Sequence, residues 1–205
     1  MNKLLLKAIL FFVLINSFLF SQDFIIVSAG LNYGLRTGIR DYINRFNFDN
    51  SKLISSFTVG LEYHQNYDEN YNIGLITTYN YFSVNKSNQF IPNYEISLST
   101  LMPIIFIEKK YNDNIYYGLG FTYANYKLSS KDYYISNKYN SYSKWGPGFV
   151  LLGNIFTEEQ DSFALNISPK LYILFPGNLK DKDNYNINLN SYTLEINFGF
   201  KTKVR

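Results

Sequence analysis

The sequence predicts an all-β protein, an eight-stranded antiparallel up-and-down transmembrane β-barrel, and three observations carry that prediction. Apolar and polar residues alternate with period two from end to end of the 205-residue chain, while helical spacing is scarce. The joints between the alternating segments are alternately short and long. Charges collect in those joints, so the polar face of each segment is left small and mostly uncharged.

The first residues have a separate role. Lys3 and Lys7 flank and enter the apolar run "AILFFVLINSFLF", which is followed by "SQD". A charged start, an apolar stretch and a small-residue end describe a secretory signal peptide, residues 1–21, with cleavage near Ser21. The run falls short of the roughly 20 apolar residues that span a bilayer as a helix. Residues 22–205 then form the barrel.

Strand one, Phe24 to Leu35, sets Ser28, Gly30, Asn32 and Gly34 against an apolar face. Strand two, Ser55 to His64, shows Phe57, Val59, Leu61 and Tyr63. Strand three, Tyr71 to Phe82, shows Tyr71, Ile73, Leu75, Thr77, Tyr79 and Tyr81. Strand four runs from Asn93 to Ile107. Strand five, Ile115 to Lys127, places Gly118, Gly120, Thr122 and Ala124 on its small face. Strand six, Trp145 to Phe156, begins at Gly146, Pro147 and Gly148, which leave its register open. Strand seven, Ser162 to Phe175, shows Phe163, Leu165, Ile167, Leu171 and Ile173. Strand eight, Ser191 to Lys203, sets Tyr192, Leu194, Ile196, Phe198 and Phe200 against Thr193, Glu195, Asn197 and Gly199. Pro103, Pro147 and Pro169 each remove a ladder donor and are expected to mark a bulge or a strand end.

After strands two, four and six the joints are "QNYDEN", "EKKYNDN" and "TEEQD"; after one, three, five and seven they are longer. All short turns therefore lie at one end of a closed barrel. Short periplasmic turns and long extracellular loops are the pattern of outer-membrane barrels, whose apolar band ends in aromatic girdles. The chain's 20 Tyr and 18 Phe supply such girdles. Small residues on the other face suit an interior that eight strands leave just wide enough for side chains.

Composition excludes several classes. There is no cysteine, hence no disulfide, thiolate metal site or cysteine nucleophile. With a single histidine, no calcium-loop spacing and no phosphate-cradling loop, no metal or cofactor is expected. The net charge of +3 is scattered, so no nucleic-acid partner is expected either.

Glu62 and His64 share the inward face of strand two, and Glu95, Lys170 and Glu195 are assigned inward parity on strands four, seven and eight. The reading favoured is a structural network of mutually neutralising charges in the lumen. Two alternatives stand beside it. One is a lipid-modifying enzyme with Glu62 orienting His64 as base and a nearby serine as nucleophile; inward parity argues against it. The other is a soluble lipid carrier, which predicts a charged outer face. In the long loops Arg36, Arg40, Arg45, Lys131 and Lys138 alternate with Tyr and Asn, and are candidates to meet lipopolysaccharide phosphates or a protein partner.

The glycine-rich first strand "SAGLNYGLRTG", the pair "FTVGLEYHQNYDENYNIGLITTYNYF", the stretch "YEISLSTLMPIIFIEKKYNDNIYYGLGFTY" and the alternating terminal strand resemble the small porin-like outer-membrane barrel domain of Bacteroidota, the PorT-like family. Pro103 falls later after Glu95 than in that family, and "KTKVR" follows the terminal Phe200. The resemblance implies a barrel in the outer membrane of a Gram-negative bacterium, embedded in lipid and lipopolysaccharide. It also implies insertion by the barrel-assembly machinery and, in some members, a part in protein secretion. The expected role is non-enzymatic: a structural or interaction component of the envelope.

Overall fold

The computed structural model describes residues 23–45, 55–88, 91–132, 136–157, 163–181 and 183–203; the expected signal peptide, residues 1–21, lies outside them. The elements are β1 (Phe24–Leu35), α1 (Thr37–Asn44), β2 (Ser55–Asn66), β3 (Tyr71–Asn88), β4 (Ile91–Asn112), β5 (Ile115–Asp132), β6 (Ser136–Phe156), β7 (Phe163–Leu174), β8 (Asn178–Lys180), β9 (Asn186–Asn188) and β10 (Ser191–Lys203). Eight of the strands close an antiparallel barrel in the order β1-β10-β7-β6-β5-β4-β3-β2, and β8 pairs with β9 as a separate hairpin. Stepping across the barrel from partner to partner, Phe24 leads through His64, Gly74, Phe106, Gly120, Val150, Tyr172 and Thr193 to Gly34, ten residues further along β1. A stagger of this size tilts the strands by about 40° and leaves a lumen that side chains fill.

The outward face is apolar and bare. Leu31, Ile105, Leu119 and Phe198 are 61–64 % exposed, and they belong to a continuous belt far larger than the few hundred Å² of apolar patch that a soluble monomer shows. Tyr71, Tyr117 and Phe200 edge the belt at the turn end, and Tyr33, Tyr81, Trp145 and Tyr192 edge it at the other. Among the described residues no helix is long and apolar enough to cross a membrane.

Three expectations need correction. First, the long segments after strands three and five are mostly strand: β3 and β4 continue to Asn88 and from Ile91, and β5 and β6 to Asp132 and from Ser136. Second, the segment after strand one folds into α1, and the segment after strand seven into the β8–β9 hairpin. Ile39, Tyr42, Ile43, Leu179, Ile187 and Leu189 pack with Phe82, Val84, Ile96, Leu98 and Leu128 as a plug in that mouth. A Cβ on Gly38 would stand 2.2 Å from the Asn188 carbonyl oxygen, so only glycine lets α1 lie this close to the hairpin. Third, the lumen is not uniformly polar. Ser28, Asn32, Thr58, Glu62, Lys170 and Asn197 line it on β1, β2, β7 and β10, whereas β3 to β6 set Ile76, Met102, Ile104, Phe106, Val150 and Leu152 among the polar Thr78, Thr122 and Asn154.

The prolines settle the open register. Pro147 stands opposite Tyr123 at the end of the β6–β7 ladder, which begins at the Gly148–Leu174 pair. Pro103 and Pro169 interrupt the pairing with one neighbour without shifting its register, so neither marks a bulge. Hydroxyls compensate: Thr122 donates to the Pro103 carbonyl at 2.8 Å, and Ser168 to the Gly153 carbonyl at 3.2 Å.

Candidate functional site

Inward parity on β2 sets Glu62 and His64 two residues apart on one face, and the stagger of the barrel brings β4, β7 and β10 to meet them. Lys170 Nζ donates to Glu62 Oε1 at 2.5 Å and stands 4.0 Å from Glu195 Oε1. His64 Nδ1 lies 2.8 Å from Glu108 Oε1 and its Nε2 lies 3.2 Å from Glu62 Oε2. Each ring nitrogen thus faces a carboxyl oxygen. Glu62, Glu108, Glu195, His64 and Lys170 gather in one buried cluster of ionisable groups.

Neutral donors complete it. Asn72 and Asn154 donate to Glu108 at 2.9 and 3.0 Å, and Asn166 donates to Asn154 at 3.2 Å. Glu195 accepts from Asn197 at 2.8 Å, Tyr172 at 3.0 Å, Thr58 at 3.3 Å and Asn32 at 3.5 Å. Phe24 stacks on the His64 ring at 4.4 Å and Phe106 meets it edge-on at 4.8 Å. Buried charges of this kind are held by one another and by hydrogen bonds, as burial demands.

The arrangement bears on the catalytic alternative. Both nitrogens of His64 are occupied by carboxylates, so neither is left to take a proton from a hydroxyl, and Glu62, His64 and Glu195 are all 0 % exposed. A lipid outside the barrel meets none of them.

Glu95 does not join the cluster. It sits part-exposed on the outward face of β4, where the Ser83 hydroxyl donates to it at 3.4 Å, and its cross-strand partner on β5 is Lys131. The assignment of Glu95 to the lumen assumed that the polar face always points inward. Beyond the apolar belt the rule reverses: Ile96 and Leu98 turn inward to the plug, and Ser83, Ser97 and Glu95 turn outward. Sequence reading missed Glu108 because "EKKYNDN" was read as turn. Its signal was available, since Glu108 continues the inward parity of Ile104 and Phe106.

The loop cations do not converge on one spot. Arg40 is exposed on α1, and Arg45, just past it, is exposed with its guanidinium 4.0 Å above the Tyr185 ring. Lys131 is part-buried opposite Glu95, and Lys138 lies on β6 with its side chain outside the described residues. Arg36 is part-buried, and its Nη2 donates to Asn32 Oδ1 at 3.2 Å. At the opposite end, a cleft of about 710 Å³ between the β2–β3 and β4–β5 turns is lined by Asn66, Asp68, Asn70, Asn72, Lys110 and Tyr116, among others.

No protein-family model and no curated protein sequence matches the chain. Among solved structures it is similar to the attachment invasion locus protein Ail of Yersinia pestis, with 9% identity, a TM-score of 0.52, and coverage of 89% of this chain and 99% of that one. The same Yersinia protein in complex with the heparin analogue sucrose octasulfate gives 9% identity, a TM-score of 0.51, and coverage of 88% and 99%. Neisserial surface protein A gives 10% identity, a TM-score of 0.50, and coverage of 89% and 97%. At such identities the likeness is one of fold, a closed eight-stranded antiparallel barrel.

Proposed function

We propose that this chain is a non-enzymatic outer-membrane β-barrel of a Gram-negative envelope, a structural or interaction component that exposes its plugged mouth outside the cell. One observation carries the reading: the apolar residues of the closed barrel face outward as a belt between two aromatic edges, while ion pairs lie inside. Acyl chains suit such a belt and water does not. The lumen is filled by side chains at one end and by α1 and the β8–β9 hairpin at the other, which supports a role other than bulk solute passage.

The exposed guanidinium groups of Arg40 and Arg45 supply the chemistry that lipopolysaccharide phosphates need. The Yersinia protein's complex with a sulfated sugar analogue is a precedent for a polyanion on this fold. The PorT-like resemblance supports membership of that family, insertion by the barrel-assembly machinery, and a protein partner at the plug, with a link to secretion.

Fractionation of cells expressing the full chain, with gel migration before and after heating, tests the core of this reading. Recovery in the outer membrane with heat-dependent migration is expected. Recovery as a soluble periplasmic species overturns it, and cross-linking from Arg40 and Arg45 in intact cells identifies the partner.

A further inference from the structure

The turns of the β2–β3 and β4–β5 hairpins share the end of the barrel opposite the plug, and their sequences, "QNYDEN" and "EKKYNDN", are alike in tyrosine, asparagine and acid. The cleft of about 710 Å³ between them is of the size of small-molecule sites, roughly 300–1,000 Å³. Its wall is unlike the apolar wall such sites ordinarily have: it consists of four asparagines, three tyrosines, two carboxylates and one lysine, with no aliphatic side chain.

Hydrogen bonds fix the shape of this cleft. The Lys110 amide donates to the Asn70 carbonyl at 2.7 Å and ties one turn to the other. Asp68 Oδ1 accepts from the Asn70 and Tyr71 amides at 2.7 and 2.9 Å, and Asn112 Oδ1 accepts from the Asn114 amide at 2.9 Å, so each turn is braced by its own side chain. Asn72, buried and donating to Glu108, lines the cleft from the lumen side. The β4–β5 register shifts between Lys110 and Asn112, and a bulge of this kind re-aims the side chain of the residue it skips, Tyr111. Tyr111 is 73 % exposed and Tyr67 is 69 % exposed.

The chemistry of the wall selects its ligand. An amide side chain both donates and accepts, which matches sugar hydroxyls, and an exposed tyrosine gives the C–H face of a pyranose a flat, rigid ring at low entropy cost. An anion is disfavoured, because Asp68 and Glu69 stand in the wall and the Lys110 ammonium is engaged by Asp113 at 2.7 Å. We propose that this cleft binds a short neutral oligosaccharide, stacked on Tyr67 and Tyr111 and hydrogen-bonded by the asparagine amides. The ligand class does not depend on where the barrel resides; its source does, and on the reading above, which turns this end to the periplasm, that source is the N-acetylated glycan of the cell wall.

The test uses the full chain folded in a sugar-free zwitterionic detergent, titrated with chitotetraose, which carries acetamido groups, and with cellotetraose, which lacks them. Saturation transfer from protein to sugar protons is the readout. Saturable binding with a Kd of about 1 mM or tighter is expected, stronger for chitotetraose, and Tyr67→Ala and Tyr111→Ala are each expected to weaken it about three- to tenfold. Heat-dependent migration reports that the variants fold, and either variant alone decides. Binding of cellotetraose alone supports the cleft as a sugar site and removes the wall as its source. Absence of saturable transfer to both sugars, binding that the variants leave unchanged, or displacement of the sugars by tetramethylammonium chloride but not by sodium chloride, the mark of a cation site, overturns the proposal.

Discussion

Lys170 and Glu62 form a fully buried ion pair inside the lumen, Nζ to Oε1 2.5 Å, from strands β7 and β2, which β1 and β10 separate in the ring. Lys170→Met leaves Glu62 without its main cation, and the expected loss of stability is about 3–5 kcal/mol. Replacing both partners by apolar residues of similar volume recovers most of that loss. Urea unfolding in detergent of the two single variants and the double variant measures the coupling; additive effects would contradict a paired role.

Leu119 lies in the middle of the exposed belt and Ser143 lies outside it, beyond Trp145 on β6. Leu119→Arg is expected to cost about 2–4 kcal/mol of folding in lipid, and Ser143→Arg close to nothing. Folding yield into phospholipid vesicles checks both. A barrel surrounded by water tolerates the two alike, so this comparison also tests the carrier alternative.

Gly38 is the contact point of α1 with the hairpin. Gly38→Val is expected to unseat the plug while the barrel persists, because the strand ladders do not involve this residue. Limited proteolysis should then cleave near α1 at protease concentrations that spare the parent protein, with heat-dependent migration of the remainder unchanged.

Lys110 and Asp113 form a pair at 2.7 Å in the β4–β5 turn, with the Asp113 side chain 93 % exposed. The Lys110 hydrogen bond, and then its charge, hold the Asp113 carboxyl below its ordinary value. Any stabilisation it gives is therefore present above the ordinary aspartate value and fades as pH falls through the lower value of the folded state. Solvent screening makes this slight. Asp113→Asn should leave the unfolding midpoint unchanged within replicate scatter at neutral pH, in contrast to Lys170→Met.

The membrane-level half of every strand was legible in the sequence, because one medium on each side imposes period two, as Tyr192 to Phe200 display. Outside the belt both media change, and the pattern changes sign with them: Ser83, Ser97, Ser129 and Ser141 follow one another across four strands facing water, while Val84, Ile96 and Leu128 face the plug. Residues of that kind read as loop, and Glu95 was misplaced for the same reason. α1 escaped notice since eight residues give two turns, too few for a helical period to stand out from its surroundings. Glu62, His64, Lys170 and Glu195 could be placed inside by parity, but their meeting depends on the stagger between distant strands, which no local pattern records.

The pairing of β1 with β10 joins the first strand to the last, whereas every other ladder links strands that follow one another in the ring as they do in the chain. That seam has the longest sequence separation and must close the widest loop when it zips. Until it does, two rows of amide and carbonyl groups are without mates, a condition hydrocarbon does not permit. For a barrel in the membrane, as proposed above, entry into the bilayer would therefore follow closure of the ring or proceed with both open edges covered.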